Sequence, residues 1–361
     1  MREKAEVAPR PGDTPRQPGR PPLALDAIPF EETYPDEPSA PPLHDLLARD
    51  RERNQSARRH WLRHPIEGTV NRIFHEILRF TPCEVTSGVG AALSPLAYRR
   101  YRDRKFARRI ARNLKTLAPD LCDTEAHHEA CLKTWWCNIG RTIAEFSSVN
   151  RLWPEGRITV EGAENLEVAR AMGGPLIFVS MHLATWEAIF AAVQLGLAPP
   201  NIGPFQPEPN RFTNRIVYNS RKRRNQYLFP PGQRSAYRLH RLLTGGGAAS
   251  MTIFIDEVRD NQVHLPLFGR KPPDKGNAVV AIKLANASGG TLVPIYLTRK
   301  KGARFRLRIL PPVPKRPAAD TPYPVPDTIL KFNEIFEPLV LKNIREWYML
   351  AELRLPKRGK A

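Results

Sequence analysis

The chain of 361 residues is short of acidic residues and of cysteine. Asp and Glu number 36 against 56 Lys and Arg, which gives a formal net charge of +20 at pH 7. A balance this basic favours an anionic partner. The four cysteines are too few for a disulfide scaffold, so we expect a reducing, cytosolic setting.

Long apolar runs are also missing. The sequence has no stretch of 18 consecutive apolar residues, and its N-terminus lacks the apolar segment of a signal peptide. We therefore expect neither export by a signal peptide nor a clear membrane span. Hydrophobic residues still make up 41% of the chain, which is enough for a sizeable core and excludes general disorder.

The composition changes along the chain. The first 45 residues hold nine acidic and five basic residues, and 11 of the 37 prolines lie within the first 42 positions. Few bulky apolar side chains occur there, so the composition predicts a disordered Pro-rich arm over 1–45. Apolar periodicity then predicts a helical lobe over 46–150 and an α/β domain over 151–357. The lobe is basic, and its cations beside apolar helices predict that it associates with membranes.

The lobe has three predicted helical regions. Apolar residues at helical spacing predict two helices within 66–97, separated at Thr81-Pro82. The next helix, 98–115, contains nine cations and one acid, so it is either an anion-binding helix or a solvated charged face. A long helix is predicted over 123–150.

Beyond residue 150 the pattern alternates between strands and helices. Strands are predicted at 158–160, 175–180, 227–229, 250–255, 291–297 and 304–310. A final helix is expected at about 327–341. This alternation predicts a layered α/β domain.

The sharpest local signal is the segment 175–187, where a buried-strand pattern ends near His182 and a helical run follows. Ligand sites of open α/β sheets lie at the carboxyl ends of strands, which places His182 for chemistry. If the helix starts near Leu183, Glu187 lies one turn further on. It could then accept a hydrogen bond from the histidine Nδ1 and leave Nε2 as a base. The alternative is a histidine that ends a strand and a solvated glutamate.

A basic segment follows, since no acid occurs between Pro209 and Ile255 while nine cations do. Arginine forks bind phosphate in a bidentate manner, so this segment is a candidate for binding phosphorylated head groups or an acidic carrier protein. Some of these arginines will be ordinary solvated residues. Asp256 ends the next apolar strand and is either a site carboxylate or a loop acid that caps a turn.

Metal and nucleotide motifs are weak. The paired spacing of a zinc site is missing, although four candidate ligands lie in one helical stretch: His127, His128, Cys131 and Cys137. The run 245–247 of three glycines lacks the Lys-Ser/Thr of a phosphate-binding loop. We predict no metal and no cofactor.

The His182–Glu187 block and the segments after it resemble the lysophospholipid acyltransferase superfamily, in particular its lipid A late (lauroyl/myristoyl) acyltransferase branch. The Asp256-Glu257 pair, the segment 263–270 and the closing Glu346-Trp-Tyr-Met-Leu agree with that branch in order and spacing. The resemblance extends from roughly residue 66 to 357. One departure is Glu257, because the branch usually has Gln there.

This resemblance implies a mixed sheet flanked by helices, as in glycerolipid acyltransferases, and a His182–Glu187 dyad that deprotonates an acceptor hydroxyl. The acyl donor would be a thioester of acyl-carrier protein or of CoA. The acceptor would be a lipid A precursor, on the way to lipopolysaccharide, or a related anionic membrane lipid. The implied substrate-binding residues are Arg221, Arg223, Arg224, Asp256, Gly269 and Arg270.

A peripheral or monotopic enzyme at the cytoplasmic face of the inner membrane is therefore expected. Three alternatives stay open: a phospholipid or other amphipathic acceptor, a membrane scaffold without activity, and a basic nucleic-acid-binding protein. The last leaves the His182–Glu187 block and Asp256 unexplained, and the sequence has no nucleic-acid-binding motif, so we expect no nucleic acid partner.

Overall fold

The computed structural model describes residues 23–316 and 321–356. Within them the α-helices are α1 (Arg51–Arg58), α2 (His64–Phe80), α3 (Cys83–Tyr101), α4 (Lys105–Leu117), α5 (Glu125–Glu145), α6 (Val149–Leu152), α7 (Ala163–Ala171), α8 (Glu187–Ala192), α9 (Arg211–Lys222), α10 (Gln233–Thr244), α11 (Asn277–Ser288) and α12 (Val325–Lys342). The strands are β1 (Ile158–Glu161), β2 (Leu176–Ser180), β3 (Asn201–Pro204), β4 (Tyr227–Phe229), β5 (Ser250–Phe254), β6 (Val258–Arg259), β7 (Gln262–Val263), β8 (Thr291–Lys301) and β9 (Arg304–Ile309).

Seven of these strands form one sheet in the order β1-β9-β8-β2-β5-β3-β4. The strands β8, β2, β5, β3 and β4 are parallel, whereas β9 is antiparallel to β8 and parallel to β1. The mixed sheet flanked by helices is thus confirmed. Strand β3 was not predicted, because Asn201–Pro204 contains a glycine and a proline and gives little strand pattern.

Strand β2 lies in the middle of the sheet and is buried on both faces. Its side chains alternate, so Ile177 and Val179 belong to one core cluster while Leu176 and Phe178 belong to the other. A continuous apolar run is the pattern expected for a parallel strand covered by helices on both sides. The carboxyl end of β2 is therefore fixed firmly between two cores.

The helical lobe packs directly on this sheet domain. Helices α3 and α5 cross at Gly90 and Gly140, where a Cβ on Gly90 would lie 2.3 Å from the Gly140 carbonyl oxygen. Residues of α4 and α5, such as Leu114 and Trp135, share a core cluster with Met181 next to β2. The break at Thr81-Pro82 is present, and the predicted helix 98–115 is divided into the end of α3 and α4.

Part of the segment 23–45, which the composition assigns to a disordered arm, packs against the α/β domain. Ile28 is 1% exposed and lies in a core cluster, and its carbonyl oxygen accepts a hydrogen bond from Tyr227 at 3.2 Å. Glu32 binds Arg234 and Arg238 at 2.7 and 3.0 Å. The prediction of disorder does not hold for this part, because a few well-placed residues anchor it beside edge strand β4. Residues 1–22 lie outside the described residues.

Candidate active site

The site lies where β2 and β5 end. The two strands are parallel neighbours and Ser180 pairs with Phe254, so the loops that follow them meet at one edge of the sheet. The loop after β2 contains His182, and the loop after β5 contains Asp256. His182 thus lies just after a buried strand, as the sequence predicts.

Asp256 orients the His182 ring. The histidine Nδ1 lies 2.7 Å from Asp256 Oδ1, and the backbone N–H of His182 donates to Oδ2 at 2.9 Å. The Asp256 side chain is fully buried, whereas the His182 side chain is 16% exposed. A carboxylate on Nδ1 fixes the tautomer in which Nε2 can take a proton from a substrate.

Trp347 is a third member of this arrangement. Its indole N–H donates to Asp256 Oδ2 at 2.8 Å, and its side chain is fully buried. The Trp347 carbonyl oxygen accepts from the Trp135 indole at 2.9 Å, which ties α5 to the site. Sequence reasoning noted this tryptophan only as part of the closing aromatic segment. The available signal in the sequence was a Trp directly after an acid in that segment.

Glu187 has a different position from the one predicted. Helix α8 begins at Glu187 itself, not near Leu183, so no helical turn brings its carboxylate back to Nδ1. Instead Glu187 is buried and accepts hydrogen bonds from Arg221 at 3.1 and 3.0 Å and from Arg224. Burial raises the pKa of Glu187, but the two guanidinium groups outweigh it and lower the pKa to about 2. Glu187 thus binds the two arginines, and the ring partner of His182 is Asp256.

The three predicted arginines separate into different roles. Arg224 is buried and also donates to Asn150 and Gln226, so its donors are used within the protein. Arg221 is 8% exposed, and within the described residues its Nη1 has no hydrogen-bond partner. Arg223 is exposed, and its charged neighbours are Arg79 and Glu76. The structure thus brings Arg221 and Arg224, but not Arg223, to Glu187.

The loop 263–270 reaches the site through Phe268, whose ring centroid lies 5.9 Å from that of Trp347. Arg270 donates to the carbonyl oxygens of Val263, Pro266 and Leu267 at 2.6 to 2.7 Å, and burial lowers its pKa. Its guanidinium therefore holds the loop together. Gly269 has a φ of +77° and open space around it, so it serves the turn.

Glu257, the departure noted in the sequence, supports the start of α11. Its Oε1 accepts a hydrogen bond from the Asn277 backbone N–H at 2.7 Å. Burial, together with a smaller contribution from the neighbouring Asp256, raises the pKa of Glu257 to about 7. In its protonated form this residue resembles Gln in shape and charge.

Two aromatic rings pack against the His182 imidazole. The ring of Phe254 lies 4.4 Å and that of Trp186 5.3 Å from the imidazole, between centroids. Tyr348 packs on Trp186 at 4.7 Å, and its backbone N–H donates to the His182 carbonyl oxygen at 3.0 Å. Over residues 23–316 and 321–356, no group of three or more His, Cys, Asp or Glu side chains is arranged to hold a metal ion.

An imidazole oriented by a buried carboxylate at the carboxyl edge of an α/β sheet is an arrangement that suits a general base. A family model described as bacterial lipid A biosynthesis acyltransferase matches residues 57–354, and the chain belongs to this family. It is therefore an acyltransferase. A comparison with curated proteins gave no match.

Proposed function

We propose that this enzyme transfers a fatty acyl chain from a thioester of acyl-carrier protein or CoA to a hydroxyl group of a lipid A precursor. The hydrogen bond between His182 Nδ1 and Asp256 Oδ1, 2.7 Å long, supports this most strongly. In this proposal the partner of His182 is Asp256, whereas the expected dyad paired His182 with Glu187. Family membership supports the lipid A pathway.

In the proposed reaction, His182 Nε2 removes the proton from the acceptor hydroxyl as its oxygen attacks the thioester carbonyl carbon. A carbon–oxygen bond forms, and the carbon–sulfur bond breaks when the tetrahedral intermediate collapses. The proton passes from the imidazolium to the departing thiol. Asp256 stabilises the imidazolium, and such a base contributes roughly 10²–10⁴-fold to a rate.

In this proposal Glu187 holds Arg221 and Arg224 in position. Arg224 and Glu187 form the fixed part of this cluster, while Arg221 keeps one buried N–H group without a partner in the described chain. A guanidinium N–H of this kind suits an anionic oxygen, and we propose that Arg221 binds a phosphate or carboxylate oxygen of the substrates. Exposed Arg223 is available to head groups at the surface.

The reaction is proposed to take place on the cytoplasmic face of the inner membrane. None of the described helices is long and apolar enough to cross a bilayer. One face of α2 exposes a row of large apolar side chains: Ile66, Val70, Ile73, Phe74, Ile77 and Phe80. Exposed cations of the neighbouring segment lie at Arg102, Arg104, Lys105, Arg108 and Arg112. Apolar insertion together with cations near anionic lipids attaches a protein peripherally.

Mass spectrometry of lipids tests the proposed substrate. Lipids from cells with and without the gene are compared, and the wild-type gene is returned as a control. We expect the cells without the gene to accumulate a lipid A species that lacks one acyl chain. A missing chain in a phospholipid, with lipid A unchanged, would identify the alternative acceptor and contradict the proposal.

A further inference from the structure

A buried ion pair lies next to the site and has no part in the proton transfer described above. Glu145, the last residue of α5, is 0% exposed, and the Arg299 side chain on β8 is 7% exposed. Arg299 Nη2 donates to Glu145 Oε2 at 2.9 Å, and its Nη1 donates to the second carboxylate oxygen and to the Gly302 carbonyl. The pair thus joins the helical lobe to the sheet.

Thr185 connects this ion pair to the loop between His182 and Glu187. The Thr185 hydroxyl donates to Glu145 Oε2 and accepts from Arg299 Nη2 at 3.2 Å, and the residue is 1% exposed. One hydroxyl group therefore contacts both members of the pair. It is placed three residues after His182.

The same loop needs support, because its backbone has an unusual conformation. Ala184 has a φ of +48°, in the left-handed region that residues with a Cβ rarely adopt. Its N–H donates to the Glu346 carbonyl and its own carbonyl accepts from the Thr142 hydroxyl, both at 3.1 Å. The backbone N–H of Arg299 binds the Glu346 carboxylate at 3.0 Å. The surroundings of the ion pair thus hold this conformation.

We infer that Glu145, Arg299 and Thr185 are positioning residues that fix the loop from His182 to Glu187 for acyl transfer. The inference rests on the proposed function for its catalytic consequence. Burying an ion pair adds little net stability compared with apolar packing. The effect of this pair is therefore on the geometry of the loop. The loop connects two groups that are bound to different partners, Asp256 and the arginine pair, and a shift of the loop changes the distance between them.

The test compares Thr185→Val, which keeps the shape and removes the hydroxyl, with Thr185→Ser, which restores it. The matched control is Thr252→Val, because Thr252 on β5 is fully buried and its hydroxyl has no partner within the described residues. Rates are measured with radiolabelled acyl thioesters of acyl-carrier protein and CoA and lipids extracted from cells without the gene. We expect Thr185→Val to lower kcat roughly 10- to 100-fold with KM nearly unchanged. Thr185→Ser should recover most of the rate.

Hydrogen exchange supplies a readout that is independent of activity. In Thr185→Val the peptide covering 182–187 should exchange faster than in the wild type, whereas Thr252→Val should leave it unchanged. If Thr185→Val does not fold, Thr185→Ala replaces it. Wild-type kcat and wild-type exchange in the folded variant would overturn the inference, as would a fall in kcat that only follows the loss of folded protein. If the wild type itself transfers no acyl chain, the proposed function fails, and exchange alone decides whether the hydroxyl fixes the loop.

Discussion

At the scale of single residues, the buried carboxylate of Glu187 balances two guanidinium groups. Arg221 and Arg224 both bind it, and all three side chains are largely excluded from solvent. Removing one partner of a buried ion pair leaves a charge without compensation, which is far more damaging than losing an exposed pair. Glu187 therefore contributes to the stability of the fold as well as to the site.

We predict that Glu187→Gln lowers the free energy of unfolding by about 3 kcal/mol at pH 7. Because the folded protein holds the pKa of Glu187 near 2, below its ordinary value of 4.5, its contribution is complete above pH 4.5. That contribution is lost as the pH falls toward 2, so the difference between wild type and variant should shrink in acid. Urea denaturation at pH 7 and at pH 3 measures both effects.

The control for this prediction is Glu334→Gln, which breaks an exposed ion pair with Lys331 and should change stability very little. Equal unfolding midpoints for the wild type and Glu187→Gln at pH 7 would show that the arginines do not depend on this carboxylate.

The sequence located His182 correctly but not its partner. A buried strand followed by a polar residue is a local pattern, and it was sufficient for His182. Asp256 lies 74 residues away, and only the pairing of β2 with β5 brings the two together. The local H-x4-E spacing favoured Glu187, because a helix starting at Leu183 would have placed it correctly. The backbone at Ala184 prevents that helix.

At the scale of elements, α2 has one face packed against the protein and an opposite face that is exposed. Gly68, His75 and Leu78 are buried, and Gly68 contacts Phe212 of α9, the helix that contains Arg221. The opposite face presents the row of large apolar residues described above. A contiguous apolar patch that is exposed to solvent marks an interaction site. Its position next to α9 would bring a bilayer close to the arginines of the site.

We predict that changing Ile66, Ile73 and Ile77 together to Gln strongly reduces flotation of the protein with anionic liposomes, because the inserting surface is removed. Leu330→Gln on α12, where the side chain is 45% exposed, serves as the control and should float like the wild type. Flotation should also fall with added salt. Equal flotation of the triple variant would exclude this face of α2 as the attachment surface.

The electrostatic part of liposome binding is tested by a variant in which the charges of Arg102 and Arg108 are removed, because both side chains are exposed. Arg109 is left unchanged, since it donates to the Ala351 carbonyl and pairs with Glu352.

Apolar periodicity predicted the helices around Thr81-Pro82 well, as proline gives a clear signal. The break between α3 and α4 was missed, because a run of arginines has no apolar period to follow.

At the scale of the whole molecule, residues 23–45 supply acids to a surface that lacks them. Glu31 pairs with Lys222, and Glu32 pairs with Arg234 and Arg238. The basic segment without acids is thus partly neutralised by the N-terminal arm. Sequence composition could not show this, because the partners lie about two hundred positions apart and composition treats each segment alone.

We predict that Ile28→Ala lowers the free energy of unfolding by about 2–4 kcal/mol, the cost of removing a buried side chain from a packed core. Ile66→Ala is the matched control, because Ile66 is 65% exposed. Urea denaturation measures both variants. If Ile28→Ala unfolds at the same urea concentration as the control, the arm does not contribute to the core.

The pairing of His182 with Asp256 is tested most directly by measuring acyl transfer in His182→Ala, Asp256→Asn and the double variant, with folding checked by circular dichroism. We predict that His182→Ala lowers the rate roughly 10²–10⁴-fold, and that Asp256→Asn also lowers it strongly. Since the two residues act as one unit, the double variant should be hardly slower than His182→Ala alone. A rate for His182→Ala within about tenfold of the wild type would contradict the mechanism.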